Sequence, residues 1–256
     1  MSAELFTAGL LLAFAGTLSS GPSSGPRRYI VDGARSAIWV VTHRSGLLSF
    51  LGHEHAIVPA EWSAELCLDD PVRPGARGSI VIRTASLVID SDSARDLAGL
   101  GHGPGEEDVR EIQRKLLDTE HLDAEGFPEI RLDLLSVQQA TDDGVIARVR
   151  LALRGVTREF ELPVRVETLD DRAVRLTGEL QIRQRDFGIE PESVAHVVNV
   201  SDEVDLRFRL VAVPTTRPCA ALPLDEWSSG GSGGRRGSTR GRRSTGAAGG
   251  TRFGGC

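Results

Sequence analysis

In several runs between residue 144 and residue 213 the chain alternates apolar and polar side chains with a period of two, the signature of extended strands with one buried face. In DEVDLRFRLVAV (202–213), Val204, Leu206, Phe208 and Leu210 share one side, and Asp205, Arg207 and Arg209 take the other. EFELPVRVE (159–167) sets Phe160, Leu162, Val164 and Val166 against Glu159, Glu161, Arg165 and Glu167. VIARVRLAL (145–153) opposes Val145, Ala147, Val149, Leu151 and Leu153 to Arg148 and Arg150. EWSAELCLDD, RGSIVIRTASLVI, EIRLDLL and RAVRLTGELQIR repeat the pattern less cleanly. In AIWVVTH (37–43) the inward side is undecided between Ile38/Val40 and Trp39/Val41/His43.

Turn sequences separate these runs: PVRPGARG (71–78), TDDG (141–144), RGVT (154–157) and LDDR (169–172). Strands joined mostly by short turns pair antiparallel, and so long a sheet closes into a barrel or folds into a sandwich. One stretch differs. In GEEDVREIQRKLLDTEHLD (105–123), Val109, Ile112, Leu116 and Leu117 recur at helical spacing, acids come first and Arg114 and Lys115 later. That pattern predicts one helix of about three turns. The expectation is an all-β fold with one inserted α-helix.

The ends read differently. LFTAGLLLAFA (5–15) is too short to span a bilayer and resembles the apolar part of a signal peptide, with Ala13-Phe14-Ala15 in the A-x-A form of a cleavage site. Glu4 stands where a basic residue is expected, so exported (periplasmic) and cytoplasmic placements both stay open. Residues 1–27, ending in a Ser/Gly/Pro linker, and the Gly/Ser/Arg-rich 215–256, read as a disordered tail, flank a folded domain over 28–214. A net charge of −6 argues against a general nucleic-acid binder, and the tail arginines read as solvated. Cys67, Cys219 and Cys256 are far apart and suggest neither a disulfide framework nor a zinc site.

No nucleophile elbow, phosphate-binding loop or dinucleotide fingerprint is present, so no enzyme is expected. The one concentrated motif is FLGHEHAIV (50–58). His53 and His55 project to the same side of an extended segment and can share a metal ion or ligate haem, with His43, His121 or His196 as a third ligand. A polar turn at a barrel rim accounts for the same residues.

Six segments, in order, resemble the YceI-like family. RVRLALRGVTREFELPV (148–164) is similar to its strand–RGVT–strand signature. YIVDGARS (29–36), TASLVIDSDSARD (84–96), GFPEIRLD (126–133), RDFGI (185–189) and DEVDLRFRL (202–210) are similar to its other conserved-order segments. The chain departs from the family's pattern at Arg150, where a glycine is usual, in its longer helix, and in a GHEH loop that marks a subgroup. The resemblance implies an antiparallel lipocalin-like β-barrel that holds a polyisoprenoid or similar lipid. Leu132, Val149, Leu151, Phe160, Leu176, Phe187 and Phe208 are then the expected cavity lining, although by pattern alone they could equally fill the barrel as a packed core. The implied partner is an apolar small molecule, with room for transient membrane contact and no indication of oligomeric state. The alternative is a metal- or haem-binding barrel, redox-linked, centred on His53 and His55.

Overall fold

The structure, a computed structural model, describes residues 27–45, 53–68, 75–141, 144–169, 172–191, 193–194 and 198–219. The signal-like segment, most of the tail and His196 lie outside the described residues. The first six strands are β1 (Arg27–Val31), β2 (Ala37–Ser45), β3 (His55–Pro59), β4 (Trp62–Leu68), β5 (Arg77–Arg83) and β6 (Leu87–Ile89). Helices α1 (Asp92–Ala98) and α2 (Glu106–Leu117) follow. Then come β7 (Glu129–Thr141), β8 (Gly144–Leu153), β9 (Val156–Thr168), β10 (Val174–Arg183), the short β11 (Ser193–Val194) and β12 (Val198–Pro218).

All pairings are antiparallel, and the order β1-β4-β5-β7-β8-β9-β10-β12 returns to β1 through a β1–β12 pairing. That closes an eight-stranded barrel. The other strands lengthen it. β12 pairs with β2 up to Arg209 and with β1 from Ala212 onward, so β1 and β2 form one barrel strand broken by a short turn. β3 and β4, and β5 and β6, are continuous in the same sense. Two of the breaks have a local cause. At the first, Asp32 accepts from the Ala34 N–H, and Ser36 Oγ accepts from the Val211 N–H at 2.8 Å. At the third, Thr84 is buried and donates to the Phe127 carbonyl at 2.7 Å.

The alternation expected for the C-terminal strands is present. Val149, Leu151, Leu162, Leu176, Phe208 and Leu210 belong to one buried apolar cluster. The β8–β9 hairpin turns on Arg154-Gly155, both at positive φ (49° and 71°), as a tight two-residue turn between right-twisted strands requires. On β2, Ile38 and Val40 face the interior. Val41 nevertheless has only 2% of its surface exposed, because α1 lies against β2 and β3 on the outside, where Ala56 and Ala94 are also buried.

Two findings correct the sequence expectation. There are two helices among the described residues, not one. α1 is too short to display helical periodicity, and its signals are its caps: Ser91 accepts from the Ala94 N–H, and Gly99 ends the helix at φ 71°. Second, Cys67 and Cys219 form a disulfide across 152 residues of sequence. Spacing could not suggest this pair; the barrel's closure does, since Arg28 lies opposite Cys67 on β4 while Arg27 lies opposite Pro218 on β12. The bond therefore straps β4 to the end of β12 across β1.

Removing the strap, by Cys67→Ser with Cys219→Ser, should lower unfolding stability by about 2–5 kcal/mol, since so long a loop strongly restricts the unfolded chain. Chemical denaturation of the oxidised protein and the double variant checks this. Coincident curves would mean that the bond contributes nothing.

Candidate functional site

Among the described residues, two hollows lie in the barrel interior. The larger cavity, about 140 Å³, is lined by 17 residues, of which only Thr42 and Gln184 carry polar side chains. Every residue lining the smaller one, about 80 Å³, is apolar. The two are stacked along the same strands. Ile82, Ile130, Leu151 and Leu206 line the larger cavity, and Ile80, Leu132, Val149 and Phe208, two residues away on the same inward faces, line the smaller. Leu116 from the last turn of α2 and Leu122 just beyond it also line the larger cavity.

Of the residues expected to form the lining, Leu132, Val149, Leu176 and Phe208 border the smaller cavity and Leu151 the larger. Phe160 and Phe187 instead stack on each other, with ring centroids 6.5 Å apart. Phe187 comes from a short helical turn after β10 and is 1% exposed. Opposite Phe208, Gly178 has no side chain, and a Cβ there would lie 2.6 Å from the Phe208 ring. The glycine is what gives that ring its place.

The two histidines of the GHEH segment part company. His53 precedes β3 and is exposed. His55 opens β3, and its Nδ1 lies 2.5 Å from Asp90 Oδ2. Asp90 sits at positive φ (51°), a conformation aspartate tolerates better than most residues. It is held there by exchanging bonds with Ala56: its N–H donates to the Ala56 carbonyl at 2.8 Å, and its Oδ1 accepts from the Ala56 N–H at 3.0 Å. Arg95 of α1 completes the cluster. Its Nη1 reaches Asp90 Oδ1 at 2.7 Å and the Glu54 carbonyl at 3.0 Å; Nε and Nη2 donate to the carbonyls of Gly101 and His102. Burial pushes the Asp90 carboxyl up, but the bonds from His55, Ala56 and Arg95 outweigh it and hold its pKa below the usual range. So the histidine motif, the end of β6, α1 and the loop leading to α2 meet at one buried carboxylate.

A second polar cluster lies on the barrel's outer wall. His43 stands between two carboxylates, with Nδ1 3.0 Å from Glu54 and Nε2 2.8 Å from Asp205. Contact with an acceptor at both nitrogens is the geometry of a doubly protonated ring. Hydrogen bonds to Glu54 and then to Asp205 raise the His43 pKa above its ordinary 6.5, with burial opposing. Asp205 is 5% exposed, and burial alone would raise its pKa. The bonds from His43 and Gln181 and the charges of His43 and Arg207 lower it instead. His121, the other candidate third ligand among the described residues, is bonded to Asp118 at 3.0 Å. Among the described residues no three His, Cys, Asp or Glu side chains converge as metal ligands.

A closed single-chain antiparallel barrel with a hollow, apolar interior is the architecture of a small-ligand-binding barrel. The sequence matches the profile of the YceI-like domain over residues 29–212, and the chain belongs to that family. Among solved structures, Burkholderia cenocepacia BcnA is similar in fold, with a TM-score of 0.54 at 19% identity, covering 72% of this chain and 99% of that one. A polyisoprenoid-binding domain from Saccharophagus degradans, implicated in plant cell wall breakdown, has a TM-score of 0.50 at 15% identity, with 73% and 98% covered. No curated protein matches the sequence.

Sequence reasoning did not single out Asp90, Arg95 or Asp205. Asp90 closes an apolar strand and Asp205 lies on a polar face, so neither looks buried until the loop or the neighbouring strand is in place.

The His43 clasp has a signed pH dependence. A raised histidine pKa contributes stability fully below about pH 6.5 and loses it as the pH climbs through the raised value. The lowered pKa values of Asp90 and Asp205 act oppositely, contributing above about pH 3.8 and losing it as the pH falls. Unfolding measured across pH should therefore show the natural chain losing stability faster than His43→Gln above about pH 6.5. Parallel curves would mean that His43 is not the titrating clasp.

Proposed function

We propose that this protein binds an uncharged, chain-like lipid of the polyisoprenoid class inside its barrel. The observation that carries the reading is the pair of stacked cavities, whose linings hold 15 and 17 residues with just two polar side chains between them. Each methylene moved from water into such a lining contributes about 0.8 kcal/mol, so a long hydrocarbon gains affinity without needing a polar contact. Nothing in either lining would neutralise a charged headgroup, and an unpaired buried charge is costly. The ligand's polar end therefore belongs near Thr42 and Gln184 or outside the barrel. Membership of the YceI-like family and the fold shared with the Saccharophagus degradans polyisoprenoid-binding domain support the same ligand class. The action is binding or carriage rather than catalysis.

Native mass spectrometry of the full chain, followed by extraction under denaturing conditions, tests this. The expected result is a neutral lipid of several hundred daltons that leaves on denaturation. It should be lost from Ala147→Phe, which fills the smaller cavity, while that variant keeps its β-sheet circular dichroism. A protein that carries no lipid and takes up none from vesicles containing an isoprenoid alcohol would overturn the reading.

A further inference from the structure

Two parts of the larger cavity's lining are not sheet. Leu116 and Leu122 belong to α2 and the loop after it, and Gln184 and Ile189 to the turn after β10, whereas its other lining residues lie on strands. A helix of 12 residues is marginal alone, and none of the residues of α2 is fully buried. Its apolar side chains, Val109, Ile112, Leu116 and Leu117, are half-buried against the core. Its packing on the sheet runs along β6. There Gln113 fastens it: Nε2 donates to the Leu87 carbonyl at 2.8 Å, and Oε1 accepts from the Ile89 N–H at 2.9 Å. The strand order ends at β6, so these are backbone groups that a further strand would have paired.

The two ends of α2 are attached differently. Beyond its C-terminus the chain folds back, with the Leu122 N–H on the Leu116 carbonyl and the Ala124 N–H on the Leu117 carbonyl. Thr119 there accepts from Arg154 Nη2 at 2.7 Å, and Leu122 is buried. On the N-terminal side, Arg95 grips the carbonyls of Gly101 and His102. Beyond that grip come Gly103 and Gly105, and the Gly105 cap offers no side-chain bond to the helix. Residues 101–102 and 119–122 are thus held at either end, and between them Gln113 supplies two hydrogen bonds to β6.

We propose that α2 is the lid through which the barrel's cargo enters and leaves, and that Gln113 is its latch. This rests on the reading of the chain as a carrier of an apolar lipid. Gln113 is a positioning residue: it touches β6, not the cavity, and acts by holding Leu116 over the opening. The His55–Asp90–Arg95 cluster fixes the loop from which the lid swings, which gives the GHEH segment a mechanical role.

Two measurements on the full chain decide the proposal: stopped-flow uptake and release of geranylgeraniol, and backbone amide exchange of residues 106–117 without ligand. Gln113→Leu removes both bonds at similar size, Gln113→Glu keeps only the acceptor for Ile89, and Glu111→Ala on the exposed side of α2 is the control. The expected result for Gln113→Leu is about tenfold faster uptake and release, equivalent to about 1.4 kcal/mol, with a much smaller change in affinity. Exchange of the helix amides should rise by the same factor. Gln113→Glu should fall between, and Glu111→Ala should match the natural chain. Faster amide exchange without faster ligand exchange would overturn the lid as the route. Unchanged amide exchange would overturn the latch. A natural chain that takes up no geranylgeraniol would overturn the carrier reading, and the ligand-free amide exchange distinguishes that failure from failure of the latch.

Discussion

The two edges of β12 determine the rest of the structure. One edge pairs with β10; the other is shared between β2 and β1, the last strand thereby meeting the first and leaving the eight-stranded cycle without a free edge. Once the sheet is closed, its inward side chains have nowhere to pack but against each other. In an eight-stranded barrel that interior is just wide enough to be filled or to keep room for one ligand. Here the inward residues are mostly Val, Leu and Ile, with few aromatic rings, and they leave the two stacked hollows. The strap between Cys67 and Cys219 lies at the same closure, over the short strand β1.

Polar chemistry is confined to the outside and the ends. Asp205 is buried although it points away from the interior, because His43, Gln181 and Arg207 gather around it. Asp90 is buried because a left-handed turn at the end of β6 brings it under His55 and Arg95. Each carboxylate accepts from three donors, which is the condition for keeping a charge away from water. The histidine motif is thus a device for joining elements: its second ring binds the carboxylate that also receives Arg95.

How far this could be read in advance depended on the range of the interaction. The strands β7 to β10 and β12 were legible because a period-two pattern is local, and Val204, Leu206 and Phe208 carry it without help. β2 was not, since both of its faces are covered: Ile38 and Val40 by the interior, Val41 by α1. α2 showed its apolar stripe, whereas α1, with seven residues, showed only its caps. Leu132, Val149, Leu151, Leu176 and Phe208 lie on the inward side of their strands. Pattern alone could not tell that Phe160 and Phe187 stack together, as that needs the turn after β10. The pairs Cys67–Cys219, His43–Asp205 and His55–Asp90 join residues 152, 162 and 35 apart, and no local signal announces them.

Gln113 occupies the backbone groups of an edge strand, and that has a bearing on solubility. Whatever lifts α2 from the sheet bares the carbonyl of Leu87 and the N–H of Ile89 beside the exposed side chain of Val88. An uncovered apolar edge is a template for strand-to-strand pairing with another molecule. The helix that closes the cavity is therefore also the chaperone of β6, and time spent with it raised is time at risk of self-association.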